Sequence, residues 1–165
     1  VYEYFPSKEE MVYEAIGIWI AHWEQNIEQG LAPDKAADER LRQYCQHTML
    51  GFIVDEQNFK LQLNVIQFYL KDPETRRRFA VVRDLFRQKR KVLIAILRDG
   101  VATGLFSEET TAEAEQIAGN ILAYLDGAGM HYMLDPHHFD VFGQIQAYLD
   151  KLLRTIRKKP KGLGM

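Results

Sequence analysis

The chain of 165 residues reads as an all-α domain of about six helices, and three features predict it. Apolar residues recur at three- and four-residue spacing through nearly every segment, which is the period of a helix face. No segment alternates apolar and polar side chains as a half-buried strand does. Helix-start signals punctuate the chain: the capping box Ser7-Lys8-Glu9-Glu10 and the pairs Asp72-Pro73 and Asp135-Pro136.

The elements follow in order. Pro6 stops whatever precedes the first helix, and the Ser7 hydroxyl can accept from the Glu10 amide. Met11, Ala15, Ile16, Trp19, Trp23 and Ile27 then repeat at helical spacing until Gly30 and Pro33 end the run. A second helix from near Asp38 sets Leu41, Cys45, Thr48 and Phe52 on one face. A third, from near Gln57, carries Phe59, Leu63, Ile66 and Leu70, with Asn64 and Gln67 between them. Asp72-Pro73 opens a long helix whose stripe is Phe79, Val82, Phe86, Leu93, Ile96 and Val101. Its basic residues, Arg76-Arg77-Arg78 and the cluster Arg87, Lys89, Arg90 and Lys91, read as a solvated face. Gly100 and Gly104 loosen its end before Phe106, and Ser107 or Thr110 starts the next helix. Asp135-Pro136 starts the last one, with Phe142, Ile145, Leu149, Leu152 and Ile156 on one face. It dissolves into the basic tail Arg157-Lys158-Lys159-Pro160-Lys161.

Composition narrows the function classes. A content of 47% hydrophobic and 12% aromatic residues excludes a disordered polar tail. With 21 basic and 23 acidic side chains the net charge is −2, which argues against a whole-surface polyanion or membrane binder and leaves a local basic patch open. Cys45 is the only cysteine, so there is no disulfide framework and a reducing cytoplasm is the expected compartment. No apolar run reaches the roughly 18 residues of a membrane helix; Ile117 to Leu134 comes nearest and is broken by Asn120, Asp126 and His131. The opening Tyr2-Glu3-Tyr4-Phe5-Pro6 has neither basic flank nor leader core, and a start at Val1 suggests a chain cut from a longer one.

Two helices are too apolar for one wet face. From Ile117 to Met130 apolar or small residues lie nearly all round, with small ones at 119, 123, 127 and 129. The last helix is similar but milder. Either the first of these is the centre of a large monomeric core, or both meet their twofold mates in a symmetric dimer. Six helices leave little protein to wrap a central one, which favours the dimer. Its interface is expected to use Ile121, Leu125, Ala128, Tyr132, Phe142, Ile145, Leu149 and Leu152.

The segment Val1 to Met11 closely resembles the end of the TetR-family helix-turn-helix and the start of the connecting helix behind it. Two weaker stretches are also similar to that family: Leu97 to Phe106, a long helix closing in a glycine-rich turn, and Ala123-Tyr124-Leu125-Asp126-Gly127 on the dimerisation helix. The resemblance implies a TetR-like C-terminal body whose last two helices form a dimeric four-helix bundle. It divides the chain into a remnant of the DNA-binding head at 1–6, a ligand-binding and dimerisation domain at 7–159 and a basic tail at 160–165. Tyr2, Tyr4 and Lys8 then stand where family members touch DNA phosphates, contacts that give register without reading sequence. Glu3 departs from the aromatic residue often found there.

The family also implies an interior cavity for a small-molecule effector. Trp19, Trp23, Phe68, Phe86 and Tyr124 are available as aromatic walls, and Tyr44, Asn64, Gln67 and Asn120 as sparse polar groups. The implied mechanism is a repressor released from operator DNA: the ligand shifts the connecting helix and moves the two heads of the full-length homodimer out of register. No cofactor is needed. Three rivals stand beside this reading. An enzyme lacks a motif, since Ser7 and Ser107 look like caps and Cys45 has only His47 nearby. A metal sensor would use His131, Asp135, His137, His138 and Asp140 around the last turn. A helical protein–protein module would sense nothing and have a filled core.

Overall fold

The computed structural model describes residues 7–30, 34–54 and 56–159. Among them it has seven helices: α1 (Lys8–Gly30), α2 (Ala37–Val54), α3 (Glu56–Tyr69), α4 (Pro73–Arg78), α5 (Ala80–Ala102), α6 (Glu109–Leu134) and α7 (Val141–Ile156). The only β pairing among these residues is a single bridge between Phe106 and Arg157. Residues 1–6 and 160–165, expected as head remnant and tail, lie outside the described residues.

Local chemistry accounts for most of the boundaries. The Glu10 amide donates to Ser7 Oγ at 3.2 Å, so the serine caps α1 as its spacing predicts. Asp72 caps α4, its carboxylate accepting from the Thr75 amide at 2.7 Å, with Pro73 at the first helical position. The amide bonds hold the Asp72 carboxyl below its ordinary range.

Two expectations are corrected. The long helix does not run from Asp72 but breaks at Phe79 (φ −103°, ψ 40°), giving α4 and α5. The break lets Phe79 turn inward, where it is 3% exposed and packs edge-on against Phe68 with centroids 5.1 Å apart. No glycine or proline marks it, so no local signal announces it. The last helix starts not at Asp135 but at Val141, because Asp140 accepts the Gly143 amide at 3.0 Å and is the true cap. Asp135 instead closes α6, and its side chain meets His138 Nδ1 at 2.8 Å.

α2, α5, α6 and α7 pack on one another, and α1 and α3 lie against α2 and each other. Leu41, Leu93, Leu97, Ile121, Leu125 and Leu149 are all within 1% of complete burial at the centre. Each contributes about 1.5–3 kcal/mol of transfer free energy. The α5–α6 turn is fixed by two glycines. Gly104 takes φ +75°, a left-handed conformation that favours glycine. Gly100 leaves room for the Phe106 ring, which a Cβ there would meet at 2.2 Å. Both the Leu105 and Phe106 amides then donate to the Gly100 carbonyl at 2.9 Å, closing the helix end. The turn is tied to the end of α7 by Ser107 N to Ile156 O at 2.8 Å and Lys158 N to Leu105 O at 3.1 Å. Ion pairs of Arg40 with Asp99, Arg157 with Asp38, and Arg42 with Asp150 at 2.6 Å join α2 to α5 and α7.

Candidate ligand site

The site lies where side chains of α1, α5 and α6 converge. Trp19 and Trp23 are four residues apart on α1, and Phe86 and Lys89 three apart on α5, so each pair shares a helix face. The Lys89 ammonium lies 5.4 Å from the Trp19 ring centroid and 5.5 Å from those of Trp23 and Phe86. Trp19 packs edge-on to Phe86 with centroids 6.4 Å apart, which holds the box together. Lys89 is only 4% exposed, and among the described residues no carboxylate stands within ion-pairing distance of it. Burial pulls its ammonium down to about 8, and the Asp126 charge on α6 pushes the other way.

Asp126 links the box to the surface. Asp126 is exposed, lining a cleft of about 470 Å³, while the protein packed on its inner side raises its carboxyl and the Lys89 charge lowers it. Ile66, Leu70, Val82 and Phe86 give that cleft an apolar floor, and Arg83, Arg87 and Arg90 stand at its edge. Arg83 and Arg87 both reach Asp84, at 3.2 and 3.4 Å. Phe86 therefore belongs to the cleft and the box at once.

Further inside, Trp23 Nε1 and the Tyr44 and Thr48 hydroxyls are buried without hydrogen-bond partners among the described residues. Burial, then the Cys45 and Asp126 charges, push the Tyr44 phenol far above its ordinary range. Thr48 lies close enough to temper that shift but outside hydrogen-bond geometry. Unpaired buried polar atoms each cost about 1–3 kcal/mol, so each marks a place where a partner is missing.

The residues named from the sequence divide into two groups. Trp19, Trp23, Tyr44 and Phe86 lie in or beside this region. Phe68 packs instead on Phe79, and Tyr124 stacks on Tyr148 with centroids 4.1 Å apart, its hydroxyl donating to the Gln144 carbonyl at 3.0 Å. Asn64, Gln67 and Asn120 are exposed rather than the buried amides expected. Tyr2 and Tyr4 lie outside the described residues, and of Lys8 only its place at the start of α1 is described.

Lys89 is the residue that sequence reading missed, assigned there to a solvated basic face. A signal existed. The stripe Phe79, Val82, Phe86, Leu93, Ile96 alternates steps of three and four but skips one position, and Lys89 fills it. A lysine in the apolar register of a core helix stands in the core.

The interface residues also divide. Ile121, Leu125, Ala128, Ile145 and Leu149 are consumed by the chain's own core, each 5% exposed or less. A single chain thus already covers these residues, which the sequence places at the dimer interface. Among the exposed residues of α6, Gln116, Asn120, Ala123, Gly127, Met130 and Leu134 form one stripe at alternating steps of four and three. Phe142 is 41% exposed beside the half-buried Tyr132 and Leu152.

The remaining chemistry-bearing groups are occupied or inert. Burial pushes the Cys45 thiol up to about 12, so it stays protonated at neutral pH. His131 stacks on Phe139 with centroids 5.6 Å apart, and among the described residues no group of three or more His, Cys, Asp or Glu could hold a metal ion. No described helix is long and apolar enough to cross a membrane.

Solved structures define the class of fold. A TetR transcriptional regulator from Chloroflexus aurantiacus matches with a TM-score of 0.76 at 18% identity, over 96% of this chain and 79% of that one. A Saccharomonospora viridis transcriptional regulator in complex with choline matches at 0.77 and 20% identity, over 96% and 79%. A tetR-family regulatory protein from Rhodococcus RHA1 matches at 0.67 and 21%, over 97% and 80%. No curated protein matches the sequence. Residues 37–157 match the family model of the C-terminal domain of BetI-type transcriptional repressors, and the chain belongs to this branch of the TetR family of transcriptional regulators.

Proposed function

We propose that this protein is a dimeric repressor, released from operator DNA when a small molecule enters the interior between α1, α5 and α6. The observation that carries the reading is an apolar cleft whose wall residues Phe86 and Asp126 also border the buried Lys89 box, in a body that holds buried, unpartnered polar groups at Trp23, Tyr44 and Thr48. Mostly apolar walls with a few convergent polar groups are what a small-molecule site requires. The neighbour of similar fold that holds choline supports a body that binds small organic ligands.

The route to DNA is short. Trp19 and Trp23 sit on α1, which starts directly behind the segment that resembles the end of the recognition helix. A ligand that displaces the box tilts α1, and the heads of a twofold dimer lose major-groove spacing. A coupling of about 1–3 kcal/mol suffices for release. Dimerisation would use the outer stripe of α6 at Met130 and Leu134 together with Phe142.

The test uses the full-length protein and DNA selected from a random pool. A metabolite library is screened for compounds that raise the melting temperature, and each is then titrated into the protein–DNA complex. At least one stabilising compound should weaken DNA binding by about fivefold or more. If every stabilising compound leaves DNA affinity unchanged, the sensing reading fails.

A further inference from the structure

Lys89 fills the position that defines what the site can accept. Three aromatic faces around one point form the arrangement that takes a quaternary ammonium. Here that point is held by the chain's own ammonium. An incoming organic cation must expel Lys89 or face its charge at close range in a medium of low dielectric.

The hydrogen-bond inventory runs the other way. Lys89 brings three N–H donors and no acceptor, and the Trp23 indole brings one donor and no acceptor. Trp23 Nε1 has no partner among the described residues. Against them stands Asp126, on the cleft wall and beyond ion-pairing reach, with burial already working against its charge. The box holds a buried ammonium with no ion pair and an indole N–H with no partner among the described residues, two groups that only donate. Outside it, the apolar floor of the cleft and the three edge arginines favour an anion with an apolar body.

We propose that the site selects an organic carboxylate, its apolar body on the cleft floor at Ile66, Leu70 and Val82 and its head group paired with Lys89. This deepens the proposed sensing function and rests on it. A bound carboxylate takes the place of Asp126 as the counter-charge of Lys89 and can accept from Trp23 as well. The same lysine makes the site unfit for choline-like cations, in contrast to the neighbour of similar fold that holds choline.

The experiment compares three straight-chain probes with apolar tails of seven or eight carbons and different head groups: octanoate, octanol and octyltrimethylammonium. Both tryptophans of the chain face Lys89, so intrinsic fluorescence reports on this site alone. Wild-type protein should bind octanoate at least about tenfold more tightly than either other probe, as a charge-assisted pair requires. Lys89→Met keeps the volume of the stem and should lose that preference while admitting octyltrimethylammonium into the vacated box. Tighter binding of octanol or octyltrimethylammonium to the wild type overturns the carboxylate assignment and leaves small-molecule sensing standing. So does equal octanoate affinity in the wild type and Lys89→Met. No fluorescence response to octanoate at millimolar concentration also overturns it. Octanoate bound through Lys89 without any change in DNA affinity keeps the carboxylate site and removes the sensing function instead. The head-group comparison needs only the wild type, so it decides the matter even if the variant fails to fold.

Discussion

Raising the pH should stabilise this protein through one residue. Lys89 holds its proton only to about pH 8 in the folded chain, because its ammonium is buried, whereas a lysine in the unfolded chain holds it to its ordinary 10.5. Between those values the unfolded state binds more protons than the folded one, so stability rises with pH. Below about pH 8 both states are protonated and the penalty for burying the charge is present in full. From pH 7 to pH 10 the gain from this group is about 2–3 kcal/mol. For a chain of this size that is a rise in melting temperature on the order of 5–10 °C. Other groups titrate in the same window, so the quantity to measure is the difference between wild type and Lys89→Met. Urea unfolding followed by circular dichroism at pH 7, 8.5 and 10 gives it. The wild type should gain about 2–3 kcal/mol on the variant across the series. A difference that stays constant with pH means that the ammonium is either solvated or fully paired, and rules out a buried, uncompensated charge at Lys89.

Other expectations follow from the packing. Gly100→Ala places a Cβ 2.2 and 2.3 Å from Phe106 ring atoms and should destabilise by about 1–2 kcal/mol, overpacking outweighing the helix propensity gained. Gly51→Ala, with open space around its Cβ, should stabilise by about 0.5–1 kcal/mol; thermal melts that rank the two variants the other way contradict the packing. Cys45, buried and with its thiol pushed up to about 12, should resist iodoacetamide at pH 8 in the native protein and react promptly in urea. Mass spectrometry of the native, reagent-treated chain reads this directly. The double variant Met130→Glu and Leu134→Glu changes two exposed residues of the outer α6 stripe and should give a folded monomer by light scattering. A variant that remains dimeric places the interface elsewhere.

Most of the fold was legible because its signals are local. Ser7 and Asp72 cap as their spacing predicts, and the stripe on α2 matches its buried face closely, whereas on α7 only Ile145, Leu149 and Ile156 of the expected five are buried. What was not legible depends on partners distant in sequence. Phe79 breaks a helix without glycine or proline because Phe68, eleven residues earlier in the chain, offers its ring a buried seat. Asp135 and Asp140 both stand near the end of α6, and only the folded turn decides that Asp140 caps α7. Ile121, Leu125 and Leu149 were assigned to a dimer surface because a nearly all-apolar helix gives no clue to which side its own domain covers.

The site was half legible for a related reason. Trp19, Trp23 and Phe86 announce apolar walls, and the core periodicity puts them together. Asn64, Gln67 and Asn120 carry the right groups for a ligand but face outward. Lys89 carries a group that belongs at the surface and sits inside. Residue type misleads in both cases, whereas register does not: Lys89 occupies the core stripe, while Asn120 falls on the outer stripe of α6.

Ligand binding at Lys89 and release of DNA are expected to be one event. The most direct measurement titrates octanoate into the full-length protein on selected DNA, recording tryptophan fluorescence and DNA anisotropy in the same cuvette. The two signals should change together with one midpoint, and Lys89→Met should shift both by the same factor. A fluorescence change that saturates while the DNA stays bound contradicts that coupling.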